Sequence, residues 1–503
     1  MISAQKKVLL FNPRAAASKP RIPNSILSIA ASIEGKADYV IVDGNLEKDP
    51  FSKICDYFDS GDFGYFACTV MPGPQLRQAI PFTKEIRKRY PAIKIIWGGY
   101  FASNQNKTVL ESGMVDYVVY GQGDKAFPQL IDALDAGRET GSVHHLVFPG
   151  NGQLVKTPQD DLYDPDTLPA LPYEKLNAFY PISKYLGKTY LGSRTIAYHS
   201  SAGCPFTCSF CAVVPIYKAR WKGKSAVNIY RDIRYLKEEF GGNAIEFHDN
   251  NFFVSEKRAV EFSALIKPEN MSWWGEGRID TVDKYSDASL SLLRESGCKM
   301  IFFGAETGND EVLKQMDKGG TQSGAQIKKF AARLRQFDII PEYSFVLGTP
   351  ADSEQQVWKQ IREDIAFIRK IKELNPDAEI IIYLYSPVPT EGSELYNRVL
   401  QAGFHFPRTL EEWISPQWEN FDLRKNPLTP WLTAGMIDYI RNFETVLNGR
   451  YPTVSDIQLT PSRVKVLQTL SSLRYLNRFY KAPYEIKLLQ KLWRYRQPEV
   501  EGF

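Results

Sequence analysis

The sequence predicts an α/β protein: a doubly wound, Rossmann-like sheet, then a partial (β/α)6 barrel, then a helical C-terminal region. Two series of short apolar segments alternate with helix-like segments, one before residue 145 and one after residue 191. Strand-then-helix repeats of this kind predict parallel sheets. A chain of 503 residues is also too long for one ordinary domain. The predicted division is a first domain at 1–145, a connector at 146–190, a barrel at 191–400 and a C-terminal region at 401–503.

The first domain is predicted from five strand–helix repeats. Each strand is short, apolar and rich in β-branched or aromatic residues, as a buried parallel strand is. In such sheets ligands bind beyond the carboxyl ends of the strands. The predicted strands are Val8–Phe11, Tyr39–Val42, Tyr65–Thr69, Ile93–Trp97 and Tyr117–Tyr120, and the predicted helices are Asn24–Ile33, Pro50–Asp59, Leu76–Tyr90, Asn106–Ser112 and Lys125–Leu134.

The loops after these strands contain small and polar residues that suit ligand binding. Glycine lets a flat ligand or a phosphate approach the backbone closely, although a Gly-Gly pair alone more often marks a tight turn. No G-x-G-x-x-G follows the first strand, which disfavours a dinucleotide. The candidate binding residues are Asn12, Asp43, Gly44, Thr69, Met71, Gly98, Gly99, Gly121 and Gly123.

The connector at 146–190 is predicted to be a strap between two domains. Prolines recur every few residues, among them Pro149, Pro165, Pro169 and Pro172. Since proline resists helix and strand alike, we expect little regular structure there.

The barrel is predicted from about six further strand–helix units, with the chemistry at the carboxyl ends of the strands. Tyr383 and Tyr385, in and just after the last strand, are predicted to pack the barrel, because strands are enriched in aromatic residues. The predicted strands are Ile196–His199, Ala244–His248, Met271–Gly275, Met300–Gly304, Glu342–Leu347 and Ile380–Leu384, and the predicted helices include Asn228–Phe240, Ala288–Ser296, Thr321–Phe337 and Ser353–Ile371.

Three of the six cysteines, Cys204, Cys208 and Cys211, lie within eight residues after the first barrel strand. Thiolates are soft ligands that select zinc or iron–sulfur clusters. Three thiolates are one short of a closed zinc site or a fully cysteine-ligated cluster, and no second C-x2-C or H-x3-5-H pair flanks them. The spacing favours a cluster with one iron open to a bound molecule. Two alternatives are weaker. One is a zinc ion with a remote fourth ligand, and the other is a set of three buried structural cysteines that bind no metal.

Composition predicts a globular protein of a reducing cytoplasm. Hydrophobic residues make up 43% and charged residues 24% of the chain, as in soluble proteins. A net charge of only +4 predicts no attraction of the whole protein to nucleic acid. Six cysteines do not make a disulfide framework. The first apolar run is too short for the core of a signal peptide, so we expect none, and no stretch reaches the roughly 20 apolar residues of a membrane span.

The C-x3-C-x2-C spacing, with Phe210 just before the third cysteine, resembles the radical S-adenosylmethionine (radical SAM) superfamily. In that family three cysteines hold a 4Fe-4S cluster, the open iron is chelated by SAM, and an electron from the cluster cleaves SAM to a 5′-deoxyadenosyl radical. The resemblance implies that Cys204, Cys208 and Cys211 are the cluster ligands and that Phe210 lies near the SAM adenine. It also implies the partial barrel.

Several polar strand-end residues match SAM contacts in the resembling family. An ordinary helix-capping role explains any one of them about equally well when it is taken alone, but a carboxylate near the SAM sulfonium and amine is electrostatically sensible. By resemblance, Glu246 and Asp249 lie near the SAM amino group, Glu306 near its ribose or amino group, Arg278 in its polar network, and Val346 and Gly348 beside the adenine.

The loops of the first domain resemble, in order, the cobalamin-binding domain that precedes many radical SAM domains. The Gly98-Gly99 pair and the G-x-G-D at Gly121 to Asp124 carry the strongest likeness. Mutase-type cobalamin domains have a D-x-H-x-x-G motif whose histidine ligates cobalt, and that motif is missing here. We therefore expect a non-ligating residue below the cobalt, in the loop around Met71. A cobalt without that lower ligand favours methyl transfer to a carbon radical in the family.

The resemblance implies a cobalamin-dependent radical SAM enzyme that methylates an unactivated carbon of a small-molecule, lipid-like or tetrapyrrole substrate, with flavodoxin or ferredoxin as electron donor. The sequence assigns no catalytic side chain. One alternative keeps the cofactors but oxidises, cyclises or rearranges the substrate. A methylthiotransferase would need more N-terminal cysteines than Cys55 and Cys68. A non-catalytic metal- or cobalamin-binding module is the alternative from another class.

The C-terminal region changes character near its end. Nine Lys or Arg residues and one acidic residue lie between Arg463 and Arg496, interleaved with leucines and aromatic residues. Such a helix can lie on an anionic membrane surface. A helix docked on the barrel with a solvated basic face explains the pattern slightly better. Peripheral contact with the inner face of the membrane is thus a hypothesis from the sequence.

Overall fold

The structure, a computed structural model, describes residues 6–15, 20–318, 322–387, 394–452 and 459–493. It consists of a seven-stranded sheet, a six-stranded sheet, a short two-stranded ribbon and a helical C-terminal region. The predicted α/β fold class is confirmed.

The first sheet has the strand order β2-β1-β3-β4-β5-β6-β7, in which the first five strands are parallel and the last two antiparallel. The order reverses between β1 and β3. In an open α/β sheet this switch point is where ligands bind. The strands are β1 Lys7–Asn12, β2 Tyr39–Asp43, β3 Phe63–Thr69, β4 Lys94–Gly98, β5 Tyr117–Val119, β6 Leu146–Pro149 and β7 Leu154–Lys156.

Helices cover both faces of this sheet, because its strands are apolar on both sides. In β1, Val8 and Leu10 pack into one hydrophobic cluster and Leu9 and Phe11 into the other. The helices are α1 Asn24–Ile33, α2 Pro50–Asp59, α3 Leu76–Arg89, α4 Gly99–Asn104, α5 Asn106–Glu111 and α6 Ala126–Asp135. The bounds of α1 and α2 agree with the predicted ones.

The connector contains more regular structure than predicted. Strands β6 and β7 lie within it and extend the first sheet by an antiparallel hairpin. Pro149 ends β6 and Pro158 follows β7, and a strand end is a place where a proline costs little pairing. Farther on, the connector forms helix α7, Tyr173–Phe179.

The rest of the connector runs as a strap over the carboxyl end of β2. The hydroxyl of Tyr185, which is fully buried, donates to Asp43 Oδ2 at 2.7 Å. Tyr180 accepts a bond from the backbone N–H of Asp43 at 3.3 Å and donates to Glu47 at 3.1 Å. These bonds tie the strap to the first domain.

The second sheet is an open barrel wall of six parallel strands in chain order, from β8 at one end to β15 at the other. A separate antiparallel ribbon pairs β9 with β10, and it carries the cysteine loop, which is residues 204–212. The strands are β8 Thr195–Tyr198, β9 Ser201–Gly203, β10 Trp221–Gly223, β11 Ala244–Phe247, β12 Ser272–Gly277, β13 Cys298–Glu306, β14 Ile340–Leu347 and β15 Glu379–Leu384.

Helices pack on the outside of the barrel wall and show clear end signals. Helix α9 begins after Ser225, whose side chain accepts from the N–H of Asn228, and ends at Gly241 in the left-handed conformation at φ +71°. Both are common helix caps. The helices are α8 Val214–Tyr217, α9 Ala226–Phe240, α10 Glu256–Ile266, α11 Ile279–Val282, α12 Asp287–Glu295, α13 Asp310–Gln315, α14 Gly324–Arg335 and α15 Glu354–Leu374.

The C-terminal region is helical, as predicted, and closes over the end of β14. Trp431 Nε1 donates to the carbonyl of Gly348 at 2.9 Å. The segment 388–393, which follows β15, lies outside the described residues. The helices are α16 Glu394–Gln401, α17 Leu410–Trp413, α18 Pro416–Glu419, α19 Ala434–Arg450, α20 Pro461–Leu476 and α21 Tyr484–Trp493.

Candidate functional site

The carboxyl ends of the two sheets meet. Tyr100, just after β4, donates its hydroxyl to Asn250 Oδ1 at 3.1 Å, just after β11. Asn104 Nδ2 donates to the carbonyl of Ala212 in the cysteine loop at 3.0 Å. Arg21 pairs with Glu246 at 2.7 Å. The loops predicted to bind ligands in the two domains therefore lie across one interface.

The cysteine loop is fixed on both sides. Gly203, the last residue of β9, has φ +78°, and a Cβ there would lie 2.2 Å from the carbonyl of Arg220 on the facing side of the ribbon. Only glycine permits this approach. At the other end, the backbone N–H and the hydroxyl of Ser209 donate to the carbonyls of Met316 and Gln315, both at 3.1 Å. The loop is thus held by the ribbon on one side and by the end of α13 on the other.

Cations surround the three thiols. Arg278 Nη1 lies 3.1 Å from Cys208 Sγ, and Asp280 holds the same guanidinium through bonds of 3.0 and 2.9 Å. Burial raises the pKa of the Cys204 thiol and raises that of Cys211 to about 11, while the nearby ammonium of Lys318 acts in the opposite direction. Buried thiols with fixed cations beside them suit an anionic cluster, because iron displaces the thiol protons and the cations offset the charge.

The thiols do not converge on one point. Within the ranges that the structure describes, no three Cys, His, Asp or Glu side chains come together as ligands of a single metal ion. A 4Fe-4S cluster needs no such convergence, because each cysteine binds a different iron atom. The donor set, three thiolates with a guanidinium and an ammonium at their edge, fits that cluster.

Glu306 faces the site because β13 is irregular at its end. The register of β13 against β14 shifts between Gly304 and Glu306, and Glu306 adopts φ +62°. A bulge of this kind redirects a side chain. The carboxylate forms a buried ion pair with Lys318 Nζ at 2.6 Å, and the same ammonium donates to the carbonyl of Gly304 at 2.7 Å. A Cβ at Gly304 would lie 2.3 Å from the Glu306 carboxylate, so a side chain there would displace the ion pair.

The two carboxylates after β11 have different surroundings. Asp249 accepts from the N–H and hydroxyl of Ser200, at 3.0 and 2.9 Å, and from the hydroxyl of Ser201. It therefore holds the segment that leads into the cysteine loop. Glu246 lies between Arg21 and His248, whose Nε2 is 3.4 Å away. Contact of either carboxylate with the SAM amino group stays a prediction.

The residues predicted to line the adenine lie in one apolar cluster. Phe210 and Val346 are both half-buried there, beside Tyr385, which packs the barrel as expected. The ammonium of Lys318 lies 5.7 Å from the ring of Phe210. Gly348 has φ +85°, and a Cβ there would clash with Leu432 at 2.4 Å, so this glycine serves the packing of the C-terminal region.

Polar side chains also line the inner face of the barrel wall. Trp274 Nε1 donates to Glu342 at 2.9 Å, and the ring of His248 lies 5.7 Å from that of Trp274. Burial, with nearby carboxylates, raises the pKa values of Glu276 and Glu342 to about 8. This buried wall therefore favours the neutral form of both carboxyls. His199 stacks on His248 at 6.1 Å, and burial lowers its pKa.

In the first domain, two candidate residues form a buried network instead of an open surface. Asn12 Nδ2 donates to Asp43 Oδ1 at 3.0 Å, and Gln75 Nε2 donates to Asn12 Oδ1 at 3.2 Å. Burial raises the pKa of Asp43, against the hydrogen bonds from Tyr185 and Asn45. A Cβ at Gly44 would lie 2.3 Å from Gln78. Asn12 and Asp43 thus shape the loops after β1 and β2.

Other candidates remain accessible at the switch point. Met71, after β3, is 42% exposed. The backbone N–H of Met71 donates to Gln75 Oε1 at 2.7 Å, and Thr69 donates to Ser25 at 3.2 Å. A Cβ at Gly98 would come no closer to another residue than 3.6 Å. This surface offers backbone and one exposed thioether to a flat ligand.

The Gly121–Gly123 loop is held by tight contacts. Gly121 has φ +72°, and its backbone N–H donates to Ser103 Oγ at 3.0 Å. A Cβ at Gly123 would lie 2.8 Å from Ile29. The two histidines nearby are engaged. His145 Nδ1 lies 3.0 Å from the carbonyl of Tyr120 and its Nε2 accepts from the N–H of Asp160 at 3.0 Å, and His144 Nδ1 lies 2.5 Å from the Asp160 carboxylate.

Replacing Gly99 by alanine is expected to destabilise the first domain by about 3 kcal/mol. Gly99 has φ +88°, and the added Cβ would lie 2.8 Å from the carbonyl oxygen of Val70. The matched control is Gly113→Ala, which has φ +70° and nothing within 4 Å, so only backbone strain of about 1 kcal/mol applies. Urea denaturation measures both, and equal midpoints for the two variants would contradict the expectation.

The sequence did not point to Lys318, Asp280 or Arg21 as site residues. Lys318 pairs with Glu306, which is 12 residues away in the sequence, and Asp280 holds Arg278, which is two residues away. Arg21 reaches Glu246 from the other domain. A lone basic or acidic residue in a loop does not reveal its partner in a single sequence. Asp280 is the exception, because its spacing from Arg278 permits a bidentate ion pair.

Comparison with known proteins finds several that this chain is similar to. Residues 198–363 match the family model of the Radical SAM superfamily. An uncharacterized methyltransferase of Pyrococcus horikoshii is 28% identical over 370 residues, which are 71% of this chain and 77% of that protein. An anaerobic magnesium-protoporphyrin IX monomethyl ester cyclase of Synechocystis sp. is 25% identical over 311 residues, and the match covers 59% of this chain and 57% of the cyclase. The chain therefore spans little more than half of the cyclase.

A solved structure shares the whole fold. The radical SAM methyltransferase TsrM of Kitasatospora setae, with tryptophan substrate and a SAM analog bound, superposes with a TM-score of 0.68 at 16% identity. The match covers 97% of this chain and 99% of that chain. Another structure of TsrM holds cobalamin and a [4Fe-4S] cluster. The likeness confirms the predicted succession of doubly wound sheet, barrel wall and helical C-terminal region.

Proposed function

We propose that this chain is a cobalamin-dependent radical SAM enzyme that transfers a methyl group to an unactivated carbon of its substrate. The observation that carries the proposal is the meeting of the two sheets at their carboxyl ends, through the contacts of Tyr100 with Asn250 and of Asn104 with the cysteine loop. Two domains that face each other in this way would hold two reactive groups on opposite sides of a substrate.

The side chains of the site would have two roles, which are to bind the cofactors and to balance their charge. When bound, a [4Fe-4S] cluster with SAM supplies a 5′-deoxyadenosyl radical, and cobalamin supplies the methyl group. Cys204, Cys208 and Cys211 would hold the cluster, and Arg278 would stabilise the thiolate of Cys208. Glu306, with Lys318 beside it, would receive the cationic or hydroxyl groups of SAM. In the first domain the open backbone at Gly98 and the exposed Met71 would face cobalamin.

The proposal includes an electron donor and a reducing compartment. Cleavage of SAM consumes an electron, which a flavodoxin or a ferredoxin would deliver. An iron–sulfur cluster of this kind would be oxidised outside the cell, so the compartment that we propose is a reducing cytoplasm. For the substrate we propose a small molecule of lipid-like or tetrapyrrole character, in line with the tetrapyrrole named for the Synechocystis relative.

The deciding experiment uses the full chain, reconstituted without oxygen with iron, sulfide and cobalamin. It is incubated with reductant, SAM carrying a deuterated methyl group, and a metabolite extract from cells that lack the protein. The expected results are 5′-deoxyadenosine and a metabolite that has gained one labelled methyl group. Absence of 5′-deoxyadenosine would mean that the chain is a binding module and not a radical enzyme.

A second candidate function keeps the cofactors without methyl transfer. The 25% identity to a cyclase favours oxidation or cyclisation over rearrangement. The same experiment separates methyl transfer from this reaction: 5′-deoxyadenosine together with a product that has lost hydrogen and gained no label supports the cyclase-like reaction.

The histidines of the first domain lead to a spectroscopic prediction. Since both nitrogens of His145 are hydrogen-bonded and His144 is held by Asp160, we expect no protein imidazole on the cobalt. Electron paramagnetic resonance of bound cob(II)alamin should therefore give the same spectrum whether the protein contains ¹⁴N- or ¹⁵N-histidine. A change in nitrogen splitting upon labelling would show a histidine ligand.

A further inference from the structure

The last two helices, α20 and α21, form a C-terminal hairpin with an unusual outer face. Eleven large apolar side chains are exposed among the described residues, and seven of them lie in this hairpin: Val466, Leu473, Leu476, Phe479, Tyr484, Leu488 and Leu492. Scattered exposed apolar residues need no explanation, but a concentration in one element marks an interaction surface.

The exposed residues form one stripe on each helix. On α20, Val466, Leu473 and Leu476 are spaced by seven and three residues, which places them on one side of a helix. On α21, Tyr484, Leu488 and Leu492 follow at intervals of four. Phe479 lies in the turn between them and is 53% exposed. The two stripes and the turn make up the outer face of the hairpin.

The opposite side of the hairpin is already used for packing. Leu467, Tyr475 and Ile486 are buried against the rest of the protein. A Cβ at Gly449 of α19 would lie 2.1 Å from the hydroxyl of Ser471 on α20, so these helices touch closely. The guanidinium of Arg369 on α15 lies 4.1 Å from the ring of Tyr475. The hairpin therefore has an inner apolar side that folding buries and an outer one that it leaves exposed.

The rim of the outer face is basic. Glu485 is the acidic residue of the stretch 459–493, and Arg474 holds it, with Nη2 3.0 Å from its carboxylate. The remaining cations of the hairpin are exposed: Arg463, Lys465, Arg478, Lys481, Lys487 and Lys491. An apolar face with Lys and Arg at its edges is the composition that binds anionic bilayers, where apolar groups enter the interface and cations meet lipid phosphates.

We propose that the outer face of the C-terminal hairpin docks on the surface of a membrane that contains anionic lipid. A second copy of the chain fits less well, because a two-fold contact would bring this basic surface against itself. Within the described ranges no helix has the length and apolar character to cross a bilayer, so the contact is with one leaflet. The proposal does not depend on the reaction that the enzyme catalyses.

The test is flotation of the reconstituted full-length protein with vesicles of neutral phosphatidylcholine, with or without phosphatidylglycerol. We expect binding to the anionic vesicles at low salt and a loss of most of it in concentrated salt. Lys487→Glu combined with Lys491→Glu should raise the lipid concentration for half-binding by about tenfold or more. Leu473→Ser combined with Leu488→Ser should weaken binding by a similar factor and leave the salt dependence of the remainder unchanged.

Matched controls keep the test specific. Lys257→Glu with Lys359→Glu changes two exposed lysines on barrel helices, and Val227→Ser removes an exposed valine of α9; these should bind like the unchanged protein. Formation of 5′-deoxyadenosine by each variant, measured without vesicles, checks that the fold and the radical site are intact. Equal affinity for neutral and anionic vesicles, or no affinity for either, overturns the proposal. A dimer that Leu473→Ser dissociates, without vesicle binding, would identify a second copy as the occupant instead.

Discussion

Cys208→Ala is expected to remove the iron–sulfur cluster and with it all cleavage of SAM. Cys208 is nearly buried, and Arg278 Nη1 lies 3.1 Å from its sulfur. Without this thiolate the guanidinium faces a neutral methyl group, and only two thiolates are left for the cluster. Loss of an outer-shell partner costs up to about 100-fold in metal-site function, so loss of a ligand should exceed that. The measurements are the brown absorbance, the iron content and the yield of 5′-deoxyadenosine.

The control for this variant is another buried cysteine of the barrel. Cys298 on β13 is fully buried and lies outside the cysteine loop. Cys298→Ala should keep its iron and its brown colour. If Cys208→Ala also kept both, or if the unchanged protein prepared without oxygen contained zinc instead of iron, the cluster assignment would be wrong.

Lys318→Met is expected to destabilise the barrel by about 3–5 kcal/mol, because it leaves a carboxylate buried without its counter-charge. The side chains of Lys318 and Glu306 are 5% and 6% exposed, and their charged atoms are 2.6 Å apart. Lys318 also donates to the carbonyl of Gly304, and its charge acts on the thiols of Cys204 and Cys211. We therefore expect lower SAM affinity and less stable cluster assembly together with the loss of stability.

A double variant separates the charge from the packing. Adding Glu306→Gln to Lys318→Met removes the buried negative charge and should recover much of the lost free energy of unfolding. It should not recover SAM affinity, because the acidic group is gone. Lys257→Met, at an 86% exposed side chain on α10, is the matched control and should change stability by less than about 0.5 kcal/mol. If Lys318→Met unfolded at the same urea concentration as this control, the ion pair of Lys318 with Glu306 would not contribute to the stability of the protein.

Local patterns carried most of the prediction of the fold. The bounds of α1 and α2 and the parallel strands of both sheets were predictable because a buried strand or an amphipathic helix shows its period within a few residues. The hairpin β6–β7 and the ribbon β9–β10 were not predicted. Both consist of three- or four-residue strands, which are too short to show a period. The pairing of β6 with β5 and of β10 with β9 also joins segments that a helix or a long loop separates in the sequence.

The same distinction applies to the candidate site. The spacing of Cys204, Cys208 and Cys211 marked a cluster site in the sequence. The placement of Asn12 and Asp43 in a buried network, where the sequence suggested a ligand surface, depends on Gln75 and on the strap residue Tyr185. These residues become neighbours through the order of the strands in the sheet, and a single sequence does not show that order.

The sequence by itself determined the α/β class, the cysteine trio and the basic C-terminal region, because composition, period and spacing are local properties of the chain. The tertiary structure alone decided that Arg278 meets Cys208 across 70 positions, that a bulge turns Glu306 toward Lys318, and that the outer apolar stripes of the C-terminal hairpin stay exposed. Burial and charge pairing depend on which elements become neighbours. That choice is made by packing of the whole chain and not by any one segment.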